Sequence, residues 1–124
     1  MKVTTPRLTT HVLDTARGCP AEGVRIELWS LDDPQPCLLK TAATNADGRP
    51  EQPLLTAEEM RAGLYELLFH AGDYFLSHAT ASTDSVTAPF LDRIPVRFRI
   101  TDASVSYHIP LLMSPWCYTT YRGS

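Results

Sequence analysis

Apolar and polar residues alternate with a period of two over several short stretches of this chain, the mark of strands with one face in a core and the other in water. In residues 8–14, Leu8, Thr10 and Val12 share one face, and Thr9, His11 and Leu13 share the other. In residues 24–31, Val24, Ile26 and Leu28 alternate with Arg25, Glu27 and Trp29, which predicts a half-buried antiparallel strand with Glu27 on its solvated side. Residues 94–100 repeat the arrangement, with Ile94, Val96, Phe98 and Ile100 set against Pro95, Arg97 and Arg99. Residues 38–44, 107–113 and 117–121 read as further strands, and residues 64–69 are apolar enough for a buried one.

Turn-forming residues separate these stretches. Arg17, Gly18, Cys19 and Pro20 turn the chain, Asp32 to Pro36 is a loop by composition, and Asn45, Ala46, Asp47 and Gly48 form a tight turn that leaves Arg49 just beyond it. Thr56 precedes Glu59 at capping-box spacing, predicting one or two helical turns over residues 56–61 that Gly63 stops. Residues 71–80 read as a short helix, with Tyr74, Phe75 and His78 on one face, and the Ser and Thr cluster of residues 80–87 reads as a loop. Seven or so strands with turns about every ten residues describe a β-sandwich or small barrel. Nothing divides residues 1–124, so a single domain is expected. Strand-rich domains of this size often oligomerise through edges or an apolar sheet face.

Composition narrows the partners. With 44% apolar and 20% charged residues the chain is in the globular range, and its ten prolines suit strand ends and turns. A net charge of −3, with eleven basic residues scattered, gives no footprint for nucleic acid. No run approaches the ~20 apolar residues of a bilayer span and no secretory apolar region stands at the start, so a cytoplasmic protein without membrane attachment is expected. Cys19, Cys37 and Cys117 are odd in number and widely spaced, which fits reduced thiols.

The residues that could carry chemistry are few. His11 and His108 each lie mid-strand, opposite the local apolar set, and so point off the core. Taken singly, each reads as a structural or solvated histidine, Arg49 as a surface arginine, and residues 121–124 as a frayed tail. His11, His70, His78 and His108 lack the short spacings of a zinc site, and no glycine-rich phosphate loop is present, so no metal and no cofactor are expected. Cys117 beside a histidine could make a nucleophilic pair, but a single cysteine flanked by aromatics is more often a small core residue. From the residues alone the reading is a soluble β-rich domain with a candidate histidine site.

Three strings carry a resemblance. LTTHVLDTARGCPAEGV (residues 8–24) and YHIPLLMSPWCYTTYRGS (residues 107–124) are similar to the N- and C-terminal signatures of the 5-hydroxyisourate hydrolases of the transthyretin-like family. TNADGR (residues 44–49) resembles that family's turn ending in a functional arginine. The terminal Tyr-Arg-Gly-Ser separates such hydrolases from the hormone-carrying transthyretins. The resemblance implies an all-β, transthyretin-like (prealbumin-like) two-sheet β-sandwich of about eight strands with one short helix. It implies a homotetramer, a dimer of dimers with sites in a channel between dimers, acting on a small-molecule substrate. The implied activity is hydrolysis of the cyclic amide of 5-hydroxyisourate to 2-oxo-4-hydroxy-4-carboxy-5-ureidoimidazoline in urate degradation, without a metal. His11, Arg49, His108 and Ser124 map onto the family's catalytic set, and Arg49, Tyr121, Arg122, Gly123 and Ser124 onto its substrate-binding set.

Those residue types suit the chemistry. Opening a cyclic amide needs a water made nucleophilic, a place for negative charge on the carbonyl oxygen and a proton for the leaving nitrogen. One of His11 and His108 is expected to be the base and the other its orienting or proton-donating partner, with the order left open. Arg49 presents a planar, permanently charged fork to the carbonyls, while Arg122 and Ser124 would hold the polar ring. Ser124 as a covalent nucleophile is disfavoured because no acidic third member is in sight. The rival readings are a small-ligand binder without catalysis, for which retention of the histidines and tail is unexpected, and a structural module whose histidines are incidental. Trp116 and Cys117 stand where the family more often has a smaller aromatic and glycine, and Leu91 and Asp92 where Pro-Glu is common; neither change removes a proposed catalytic group.

Overall fold

The alternation in residues 8–14 becomes β1 (Leu8–Asp14), whose side chains are buried and half-buried in strict turn. The computed structural model describes residues 5–78 and 88–124, so the loop expected over residues 80–87 lies outside the described residues. The other strands are β2 (Cys19–Pro20), β3 (Arg25–Ser30), β4 (Cys37–Ala43), β5 (Gly63–Phe69), β6 (Ile94–Ile100), β7 (Tyr107–Met113) and β8 (Tyr118–Thr120). The helix expected around Tyr74 is α1 (Ala71–Ser77). At residues 56–61 half of the capping box forms: the Thr56 N–H donates to Glu59 Oε1 at 2.9 Å, but the Glu59 N–H goes to the Thr56 carbonyl, and only a single turn follows and no helix. Glu59, held by the Thr56 N–H and then by Lys40, has its carboxyl lowered to about 2.

The strands form two four-stranded sheets, in the orders β2-β1-β7-β8 and β4-β3-β5-β6. The architecture is therefore the expected all-β, two-sheet sandwich of eight strands with one short helix among the described residues. Leu8 and Val12 from β1, Ile26 and Leu28 from β3, Leu67 and Phe69 from β5, and Leu111 and Met113 from β7 are all fully buried between the sheets. Each such side chain stabilises the fold by about 1.5–3 kcal/mol relative to exposure. The pairing that matters most for the site is β1 with β7, which is parallel and sets Thr9 beside His108 and His11 beside Pro110.

Glu27 departs from its sequence reading. Its alternation places it on a solvated face, yet it is buried. The reason lies beyond the strand: His70, at the start of α1, covers it and places Nε2 2.6 Å from Glu27 Oε2, while Trp29 donates its indole N–H to Oε1 at 2.8 Å. The His70 hydrogen bond, then that of Trp29, holds the Glu27 carboxyl below the ordinary carboxylate range. A depressed folded value means that this stabilisation is complete above the unfolded value of about 4.3 and fades as pH falls through the lowered one. Replacing Glu27 by Ala strands both ring N–H groups and is expected to cost about 2 kcal/mol, read as a lower urea midpoint at pH 7 with the m-value unchanged.

Candidate active site

Three segments distant in sequence meet at one end of the β1–β7 pair. The first is β1 itself. Its core face is Leu8, Thr10 and Val12, so Thr9 and His11 stand half-buried on the opposite face.

The second is the turn at residues 45–48. Asn45 Oδ1 accepts the main-chain N–H groups of Asp47 at 2.9 Å and Arg49 at 3.2 Å, and the Asn45 carbonyl accepts the Gly48 N–H at 2.9 Å. Gly48 has φ +79°, and a Cβ there would lie 2.4 Å from the Val12 carbonyl oxygen, so both conformation and space demand glycine. The Gly48 carbonyl in turn accepts the Val12 N–H at 2.8 Å, which docks the turn on β1. His11 adds a side-chain tie, with Nε2 donating to the Asp47 carbonyl at 2.8 Å. A carbonyl only accepts, so this bond puts the His11 proton on Nε2. Arg49 leaves the turn exposed beside these groups.

The third is the tail after β8. The Gly123 N–H donates to the His108 carbonyl at 2.7 Å, laying the tail against β7. A Cβ on Gly123 would come 2.6 Å from His108 Cδ2, so only glycine lets the tail pass this imidazole. Ser124 is thereby delivered to the same place.

Between these segments opens a cavity of about 690 Å³ whose wall includes Thr9, Arg49, His108 and Ser124, together with Arg7 and Glu51. His108 is half-buried in it, with Nδ1 2.8 Å from Thr9 Oγ1. Burial lowers the His108 pKa, and the positive charge of Arg49 and then the His11 ring push it the same way, against the Thr9 main chain, which favours the protonated ring. The imidazole is thus kept neutral at neutral pH and within electrostatic reach of Arg49.

The structure therefore brings together Arg49, His108 and Ser124, with Gly123 against the His108 ring and His11 tied to the turn that carries Arg49. Tyr121 and Arg122 lie elsewhere in the single chain. They line a smaller hollow of about 250 Å³ with residues of β6, and the Arg122 guanidinium lies 4.2 Å from the centre of the Tyr107 ring. Trp116 and Cys117 are exposed in the turn between β7 and β8, where Ser114 Oγ accepts both their N–H groups. Thr9, Arg7 and Glu51 were not picked out by sequence. Thr9 could have been, because it shares a strand face with His11 two residues away; nothing distinguishes Arg7 or Glu51 from ordinary surface charges. Among the described residues no group of three or more His, Cys, Asp or Glu side chains is placed to hold a metal ion. No helix there is long and apolar enough to cross a membrane.

Residues 8–123 match the model of the HIUase/Transthyretin family. A 5-hydroxyisourate hydrolase of Mesorhizobium japonicum is 54% identical over 118 residues, covering 95% of this chain and 92% of that protein. Among solved structures, (S)-allantoin synthase matches with a TM-score of 0.86 and 47% identity over 98% of this chain, which spans 44% of that longer chain. Transthyretin from Sparus aurata matches with a TM-score of 0.81 and 26% identity over 94% of this chain and 96% of that one.

Proposed function

The chain belongs to the HIUase/Transthyretin family, and we propose that it opens the cyclic amide of 5-hydroxyisourate by water attack, with His108 as general base and Arg49 as the cation that receives the developing charge. Relatives named 5-hydroxyisourate hydrolase, from 48% to 54% identical over 95% of the chain, make it an enzyme of that kind. The observation that carries the mechanism is the convergence of His108, Arg49 and Ser124 on one cavity.

His108 has Nδ1 turned to Thr9, which leaves Nε2 as the nitrogen available to a water. Neutral His108 takes a proton from that water as its oxygen bonds to the amide carbon, and the carbonyl oxygen becomes an oxyanion facing the Arg49 guanidinium. The carbon–nitrogen bond then breaks, the imidazolium returns its proton to the leaving nitrogen, and the new carboxylic acid ionises. One water is consumed and no redox change occurs. His11 orients rather than abstracts in this scheme, because its Nε2–H already holds the Asp47 carbonyl of the turn carrying Arg49. Ser124 offers a hydroxyl to water or substrate, and Gly123 gives the tail its path past the imidazole. Arg122, stacked on Tyr107, fixes the tail's course, with Tyr121 beside the same hollow.

The same proposal includes assembly into a dimer of dimers. Arg49 and Ser124 are exposed in the single chain, and a covering subunit would exclude water and strengthen their action on substrate. The decisive experiment follows the ultraviolet absorbance of freshly generated 5-hydroxyisourate. Added protein is expected to speed its decay equally with and without a strong chelator. Binding without faster decay would make the protein a carrier, and chelator-sensitive decay restored by zinc would replace this mechanism with a metal-dependent one.

A further inference from the structure

We infer that Thr9 is a positioning residue for His108, its hydroxyl holding the imidazole with the proton on Nδ1 so that Nε2 meets the cavity bare. This rests on the reading of His108 as general base. The parallel register places Thr9 directly opposite His108, and their side chains meet at 2.8 Å between Oγ1 and Nδ1. Among the described residues Thr9 Oγ1 makes no other hydrogen bond. Both residues stand on the cavity wall.

The opposite edge of the ring is fixed by Gly123, whose own Cβ, if it had one, would sit 2.6 Å from His108 Cδ2. An imidazole held at Nδ1 by a hydroxyl and confined at Cδ2 by main chain has only its Nε2 and Cε1 edge left to face a ligand. The tautomer decides what that edge can do. With the proton on Nε2 the ring could only donate to a water; with the proton on Nδ1, given to Thr9 Oγ1, the Nε2 lone pair is free to accept. A hydroxyl can accept from Nδ1–H or donate to a bare Nδ1, so the contact fixes the ring's angle, and Nδ1–H is the tautomer that the role of base requires of it. The Thr9 main chain acts on the same ring and favours its protonated form.

Thr9→Val removes the hydroxyl while keeping the β-branched shape that a strand favours, and Thr9→Ser restores it. The other groups acting on the ring, Arg49 from the turn and His11 from β1, and the charges on the cavity wall, Arg7 and Glu51, are untouched by either change. The ring nitrogens of His108 are read by ¹⁵N NMR across a pH titration, alongside kcat and KM for 5-hydroxyisourate. Thr9→Val is expected to reduce the Nδ1–H population, to move the His108 titration to lower pH and to lower kcat about tenfold with KM within about twofold. Thr9→Ser is expected to behave like the parent on every measure. His108 nitrogen shifts and titration unchanged in Thr9→Val would overturn the inference. Shifts that move while turnover does not would instead overturn the reading of His108 as the base, since the NMR signal reports on Thr9 whether or not the ring is catalytic.

Discussion

Replacing His108 by Asn is expected to lower turnover by about 100-fold or more while the sandwich stays folded. Asparagine can keep an N–H near the place of Nδ1, and so the bond to Thr9, but it has no basic nitrogen to offer a water. The loss should fall on kcat more than on KM, because Arg49 and Ser124 still line the cavity. The pH profile gives a second mark of the same residue. A base works only when neutral, and burial together with Arg49 and His11 lowers the His108 pKa. The parent enzyme is therefore expected to hold its rate below the ordinary imidazole value of about 6.5, and to decline only as pH falls through the lowered value. The variant's residual rate should lack that acid limb. Initial rates of 5-hydroxyisourate decay from pH 5 to 8 measure both effects, and a near-parental rate at pH 7 would remove His108 from the mechanism.

Deleting Arg122, Gly123 and Ser124 is expected to cut turnover at least as far, through three separate losses. The cavity loses the Ser124 hydroxyl, the His108 ring loses the main chain confining its Cδ2 edge, and Tyr107 loses the guanidinium above it. Stability should fall by only about 1 kcal/mol, because an exposed cation–π contact and one hydrogen bond are each modest. The strand before the tail keeps its register on β7, from Leu111 with Thr120 to Met113 with Tyr118. Circular dichroism and thermal unfolding of the truncated chain check that the fold survives, and the absorbance assay checks that activity does not. A truncated chain with parental turnover would separate the tail from the chemistry.

What could be seen in the sequence was what repeats or is local. The period of two in residues 8–14 put His11 off the core face, and the structure has it half-buried there, two residues from Thr9. The Asn-Ala-Asp-Gly turn could be identified because its logic is confined to the five residues 45–49: an Asn side chain caps two N–H groups and a glycine takes a positive φ. The capping box was equally local, and one of its two bonds forms, but one turn of chain before β5 leaves no length for a helix. Glu27 could not be placed from its strand, because what buries it is a histidine 43 residues further on. The meeting of His108 with Thr9 was hidden for the same reason, and the period gave no sign that β1 and β7 run parallel. Nor did anything in the tail's composition show that Gly123 folds back onto His108. It was the likeness of both ends and of the 44–49 turn to known hydrolases that grouped Arg49, His108 and Ser124; the polarity pattern left them as unrelated surface residues.

Thr9 and His108 are 99 residues apart, so most of the polypeptide is the loop that their meeting must close. Such closure carries an entropic cost that only a largely completed set of long-range contacts offsets. The hairpin of β3 and β4 or the turn at residues 45–48 can form early, yet neither holds an imidazole against its partner hydroxyl. Partly folded chains can thus own sheet and turn but no working base, and turnover becomes a test of whether the whole molecule has come together.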